Sequence, residues 1–228
     1  MWCNTKTKSI FHSNVFKFNL YGGRIVLKKG GFVSFISVMP MWSGVNLCAA
    51  GGNWGMAIYA LGDLVPLIDP SAFVHPEAVI IGNVQVGAES SIWPTAVLRG
   101  DHGVVRIGRQ TSIQDGTVIH CTKDLDTVVG DRCVVGHNAH LEGCTVHDDS
   151  LVGSGSVLLH RVSVGPGSLV GAGAVVSPGT TVPPHARALG VPARITEAVV
   201  RPEDFADSVA TYVHNAHWYN AELRRLDA

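Results

Sequence analysis

VHDDSLVGSGSVLLHRVSVGPGSLVGAGAVVSPGTTV, residues 146–182, carries an aliphatic side chain at every sixth position: Val146, Val152, Leu158, Val164, Val170, Val176 and Val182. Moving toward the amino terminus, the same phase recurs at Val129, Val135 and Leu141, at Ile107, Ile113 and Ile119, and at Ile68, Val74, Ile80, Val86, Ile92 and Leu98. Gly often follows, as in Val86-Gly87, Ile107-Gly108, Val129-Gly130 and Val152-Gly153. A period of six fits neither an amphipathic helix nor a meander of long strands. It fits short strands joined by tight corners, three hexads to a triangular coil, each side sending one aliphatic knob inward. Gly suits the corners because it accepts positive φ and close backbone approach. The fold expected is all-β, a left-handed parallel β-helix of hexapeptide repeats.

Three segments follow from this reading. Residues 56–200 form the β-helix domain. Residues 201–228 form a terminal α-helix: Pro202, Glu203 and Asp204 mark its start, with an apolar stripe of Phe205, Val209, Tyr212, Val213 and Leu223 and with Arg224 and Arg225 in the last turn. Such a helix covers a solenoid surface of its own chain or a neighbour's. Residues 1–55 hold Lys6, Lys8, Lys17, Arg24, Lys28 and Lys29 but no Asp or Glu. They are expected to be an extension outside the folded domain, unstructured or lying upstream of a natural start at Met56, with a targeting segment and a functional arm as the other readings. The apolar run 31–50 is broken by Ser34, Ser37, Pro40, Ser43 and Asn46, which makes it a poor membrane span.

A net charge of −1 over 228 residues gives no reason to expect nucleic acid or an acidic membrane as a partner. The five cysteines are odd in number and show no CxxC spacing, which argues against a disulfide scaffold and points to a reducing, cytoplasmic setting.

Three hexads per coil put Leu98, Ile119, Leu141 and Leu158 in one column. The residues after these knobs, Arg99, His120, Glu142 and Leu159, then share one face at a spacing of about 4.7–4.9 Å. On the adjacent face Ile113 stacks with Val135, and Asp115 and His137 come two places later. A threefold trimer can set His137 of one subunit against His120 and Glu142 of another. Gly100–Arg106 and Cys121–Val128 break the hexad phase and are expected to be loops beside this column, where function is commonly grafted. His12, His75, His147, His160, His185 and His214 are read as surface or corner residues. Cys121 and Cys144 fall near the same column, either as soft metal ligands or as small buried hydrophobes.

Arg99-Gly100-Asp101, Ile113-Gln114-Asp115-Gly116, His120 and Val135-Gly136-His137 through Gly143-Cys144 resemble the γ-class carbonic anhydrases and their paralogues over about residues 62–192. The resemblance implies a homotrimer with a metal ion, Zn or else Fe or Co, at each subunit interface, one per subunit. It implies His120, His137 and Glu142 as ligands, Glu142 standing where the family has a third His. It further implies that Arg99 and Asp101 order the interface, that Gln114 and Asp115 orient water or substrate, and that the substrate is CO2 or bicarbonate. His₂Glu is a donor set that zinc accepts, though the carboxylate leaves a bound water less acidic. His140 is the substitute ligand. The residue after the RGD is His102, a potential proton shuttle. Two alternatives share the solenoid and the trimer. One is a hexapeptide acyltransferase, in which His137 or His120 is the general base between subunits. The other is a non-catalytic scaffold.

Overall fold

The computed structural model describes residues 57–227, together with the backbone of three strands nearer the amino terminus. Those strands, Lys17–Tyr21, Arg24–Lys29 and Phe32–Ile36, pair antiparallel in one sheet within a compact unit, Met1–Gly52. The expected unstructured extension therefore carries regular pairing between residues 17 and 36; the rest of it lies outside the described residues.

Asn53–Ala228 is the second unit, and the hexad phase governs it. Short parallel strands stack in about seven coils and form three columns. One column runs from Ala57–Tyr59 through Val97, Val118 and His140 to Val175-Val176; the second runs from Leu67-Ile68 through Thr127–Val129 to Thr181-Val182. The third begins at Phe73-Val74 and ends at Arg187–Leu189, where Arg194–Thr196 pairs antiparallel and closes the sheet. The knobs face inward. Ile80, Leu98, Ile119, Leu141, Leu158 and Val176 are fully buried in the first column, as are Ile92, Ile113, Val135, Val152 and Val170 in the third. Side chains of one coil pack on those of the next, so the core is a continuous aliphatic rod.

A second buried set stands two residues before each knob and is small: Ala78, Ala96, Thr117, Ala139, Ser156 and Ala174 in the first column, and Ser90, Thr111, Cys133, Ser150, Ser168 and Ala186 in the third. Its hydroxyls satisfy corner carbonyls that no strand reaches. Ser90 donates to the Gly108 carbonyl at 2.6 Å, Thr111 to Gly130 at 2.7 Å, Thr117 to Gly136 at 2.8 Å and Ser168 to Pro183 at 2.7 Å. Each bond relieves a buried polar atom that would otherwise cost about 1–3 kcal/mol.

The corners divide the two roles that the sequence assigned jointly to Gly. Left-handed backbone falls three residues before the knob, at Gln110, Arg132, Asn138 and Gly155 among others. Most of the glycines that follow the knobs serve close approach instead: a Cβ on Gly108 would lie 2.5 Å from the Gly130 backbone, closer than carbon atoms pack.

Three expectations are corrected. Gly100–Arg106 is not a loop. It lies inside one strand, Val97–Ile107, which runs beside Val79–Val86 with a register shift between Gly82 and Val84. Gly100 fits there because a Cβ would meet the Asn83 carbonyl at 2.3 Å. Cys121–Val128 is a loop only as far as Asp126, since Thr127–Val129 is a strand. The terminal helix is present but shifted: Pro202–Asp204 is a single 3-10 turn, and the α-helix spans Ala206–Glu222. It ends before Arg224 and Arg225, and Leu223 is exposed. Phe205 is buried and Tyr212 packs as expected, and Ala216 and Tyr219 join Tyr212 on Phe73 and Trp93 of the chain's own first coils. The Trp93 indole nitrogen is satisfied by Ser91 and Ser112 at 3.0 and 2.9 Å.

If the rod of knobs carries the stability, Leu141→Ala lowers unfolding stability by about 2–5 kcal/mol, whereas Leu159→Ala, one place on and partly exposed, costs under about 1 kcal/mol. Urea unfolding of both variants checks this, and equal losses would contradict it.

Candidate functional site

Parallel pairing sets Arg99, His120 and Glu142 side by side on successive coils, as the hexad count expects. Their side chains leave the solenoid on one face and meet. The His120 ring lies between two carboxylates, with Nδ1 3.0 Å from Glu142 Oε1 and Nε2 2.9 Å from Asp101 Oδ1. Carboxylates only accept, so both contacts are hydrogen bonds when each ring nitrogen carries a proton. Arg99 pairs with Asp101 on its far side. From below, Thr127 donates to the His120 carbonyl at 2.5 Å and accepts from the Gly143 amide at 2.8 Å, joining the column to the loop 121–126.

This arrangement sets the acidity of both carboxyls. Partial burial works against the Asp101 carboxylate, but the hydrogen bonds and charges of His120 and Arg99 outweigh it and hold the group below its ordinary range. Burial likewise opposes the Glu142 carboxylate; the hydrogen bond and charge of His120, with the charges of His160 and His140, prevail and lower it. His140 Nε2 and His160 Nε2 each stand 3.6 Å from Glu142 Oε2.

His137 lies on the adjacent face with Asp115. Ile113 pairs with Val135, and two residues further His137 Nδ1 meets Asp115 Oδ2 at 2.9 Å. Both side chains are about half exposed, at 48% and 46%. One chain therefore joins His120 with Glu142, and His137 with Asp115, but does not bring the two pairs together. Gln114 is buried at 4% and lies close to Tyr212 of the terminal helix. Burial pushes the Tyr212 phenol up, the nearby charge of Asp115 adds to this, and Gln114 opposes it. His102 is exposed on the Val97–Ile107 strand.

Sequence reasoning missed His160, which it left as a surface residue. Gly143 lies beneath it: a Cβ there would stand 3.1 Å from the His160 ring and crowd it. His12 lies outside the described residues. Cys121 and Cys144 are buried, and burial pushes the Cys144 thiol up to about 12, as it does that of Cys133. They behave as small core residues.

For the metal that the resemblance implies, the donor chemistry of His120, His137 and Glu142 is suitable, but both His120 nitrogens are already committed to carboxylates. Among the described residues of one chain, no group of three or more His, Cys, Asp or Glu side chains is placed to hold a metal ion.

The pattern described as Bacterial transferase hexapeptide (six repeats) matches residues 126–160 and 143–178. The chain is 42% identical over 144 residues to the carnitine operon protein CaiE of Escherichia coli K12, covering 63% of this chain and 74% of that protein. CaiE of Shigella flexneri matches to the same extent. Among solved structures, a Bacillus cereus protein classed provisionally as an acetyltransferase superposes with a TM-score of 0.70 at 34% identity, covering 72% of this chain and 96% of the other. A hexapeptide transferase family protein from Anaplasma phagocytophilum superposes with a TM-score of 0.69 at 31% identity, covering 72% and 98%.

The depressed carboxyls make a pH prediction. A carboxyl whose pKa is lower in the folded than in the unfolded state contributes stability above its unfolded value, near ~4, and loses it as pH falls through the folded value. The parent therefore loses melting temperature more steeply below about pH 4 than Asp101→Asn/Glu142→Gln. Melts from pH 7 downward check this, and parallel acid limbs would contradict it.

Proposed function

The chain belongs to the hexapeptide-repeat transferase family of left-handed β-helices, and from that premise we propose that it transfers an acyl group from a thioester to a small nucleophilic acceptor, with His137 as general base. The observation that carries the reading is the His137–Asp115 pair. A carboxylate on Nδ1 fixes the ring and its tautomer, leaving Nε2 as a free acceptor on an accessible face. His120 is less suited, because carboxylates occupy both of its nitrogens.

In the proposed reaction His137 Nε2 removes the proton from an acceptor hydroxyl or amine as it attacks the thioester carbonyl. The C–S bond breaks, and the thiolate takes the proton back from the imidazolium. Asp115 stabilises the imidazolium through Nδ1 and keeps its own charge throughout. Support comes from the solved structures that share the fold at over 30% identity and from the family of the matched pattern. The half-exposed pair needs a wall to exclude water, and a neighbouring subunit of a homotrimer supplies one. We place the protein in the cytoplasm; among the described residues, no helix is long and apolar enough to cross a membrane.

A second reading keeps the γ-carbonic anhydrase-like chemistry. The contact of His120 with Glu142 on neighbouring coils favours it, since these are two of the three positions that the resemblance assigns to an interfacial Zn, Fe or Co site. His137 of an adjoining subunit would be the third, and a bound metal would supply an activated water for CO2. Asp101 and Arg99 would hold His120, Gln114 and Asp115 would orient the substrate, and exposed His102 would carry the proton to solvent.

Acetyl-CoA binding by calorimetry and thiol release in the presence of amine and hydroxyl acceptors test the first reading. His137→Ala is expected to lower turnover by about 10²–10⁴-fold, the usual share of a general base, with Asp115→Asn also impaired and acetyl-CoA affinity little changed. Absence of acetyl-CoA binding, with bicarbonate formation that depends on His120 and His137, would overturn it for the second.

A further inference from the structure

The loop 121–126 interrupts the hexad phase and is fixed to the solenoid. The Thr122 amide donates to the Leu125 carbonyl at 2.9 Å. Asp126 accepts from the Val104 amide at 2.8 Å and from Arg106 at 3.0 Å, one partner on each oxygen. Leu125 rests on Gly143, where a Cβ would stand 3.1 Å from its side chain. Between this loop and the outward face of the second column lies a cleft of about 460 Å³. Lys123 and Asp124 line it from the loop, and Arg161 lines it from a corner of the solenoid. Its floor carries the hydroxyls of Thr145 and Ser163, which pair in register on successive coils.

Both of the cations that line the cleft are free of carboxylates. Among the described residues, neither Lys123 nor Arg161 has an acidic partner at ion-pair distance. Asp126 is already neutralised by Arg106, so Asp124 alone opposes them. Arg161 also holds its place against backbone preference. Its φ is +62°, whereas the same corner is Gly143 in the coil before and Gly179 in the coil after. A side chain in left-handed backbone is less stable than Gly there, and strain of this kind gathers at ligand sites. Of these three corners, the one that carries a side chain presents a guanidinium to the cleft.

We infer that this cleft binds a phosphorylated small molecule, with its phosphate between Lys123 and Arg161 and over the hydroxyls of Thr145 and Ser163. Donors on two walls and a floor match a tetrahedral anion, whose oxygens accept from several directions. Arg pairs with phosphate through two parallel N–H bonds, and Lys serves as a point charge. The volume exceeds that of a phosphate group and falls in the range of small-ligand sites, which leaves room for the body of the molecule. Neither His137 nor Asp115 lines the cleft, so the inference does not rest on the acyl-transfer reading.

Its test reads binding, not turnover. Full-length protein is titrated by calorimetry with pyrophosphate, and separately with succinate, at constant ionic strength. One saturable pyrophosphate site per chain is expected, with succinate at least about 10-fold weaker. Lys123→Ala and Arg161→Gly each weaken pyrophosphate by about 10–100-fold, the usual share of a charge-assisted hydrogen bond. Asp124→Asn binds as tightly as the parent or more tightly, and His137→Ala is unchanged. Arg161→Gly is also expected to resist urea at least as well as the parent, because Gly accepts the left-handed backbone. That separates lost charge from lost structure, and Arg161→Asn gives the same reading if Arg161→Gly does not fold. A parent without saturable pyrophosphate binding would overturn the inference. So would binding that survives intact in both Lys123→Ala and Arg161→Gly, or succinate bound as tightly as pyrophosphate.

Discussion

Everything on this molecule's surface is placed by the hydrogen-bonded stacking of one coil on the next. Parallel pairing leaves no freedom of register once the knobs are inside, because a slip of one residue would turn every aliphatic side chain outward. Ile119 lies between Leu98 and Leu141, so His120 must lie between Arg99 and Glu142. The glycines after the knobs let backbones approach where any side chain would collide, and the buried hydroxyls of Ser90, Thr111, Thr117 and Ser168 answer the corner carbonyls. The rigidity of the scaffold is thus a property of small residues as much as of large ones.

On that scaffold the polar side chains sort into two constellations. One is a relay across successive coils, Arg99, Asp101, His120 and Glu142, ending against His140 and His160. The other is the pair Asp115 and His137, next to Gln114 and the terminal helix that carries Tyr212. The first is a network of paired charges, and the second is suited to moving a proton. Their separation within one chain is why a partner subunit enters the account of the reaction.

The sequence made the columns legible because a sixfold period leaves an aliphatic residue at every inward position, and counting three hexads to a coil then places Arg99, His120 and Glu142 together. It misled at Gly100–Arg106, where broken phase suggested a loop. The strand there pairs with Val79–Val86 on either side of a bulge, in which residues 101–104 stand opposite the shift between Gly82 and Val84. The helix stripe was legible at Phe205 and Tyr212 but not at Ala216, whose small side chain packs with Phe73 and Trp93. The approach of His160 to Glu142 over Gly143 in the preceding coil was invisible too, being a relation between neighbours in space that no period reports. The reaction itself was the least legible part. The resemblance gives Gln114 and Asp115 the role of orienting water or substrate, and only the 2.9 Å contact of Asp115 with His137 suggests support of that ring instead.

The central chemical claim is the state of one ring, and the most direct measurement is the nitrogen NMR spectrum of histidine-labelled protein, with His137→Ala used to assign the signal. For the neutral ring, the account predicts an imidazole protonated at Nδ1, toward Asp115, with Nε2 bare and able to accept a proton. A neutral ring protonated at Nε2 instead would contradict it, since the atom meant to act as base would already carry the proton.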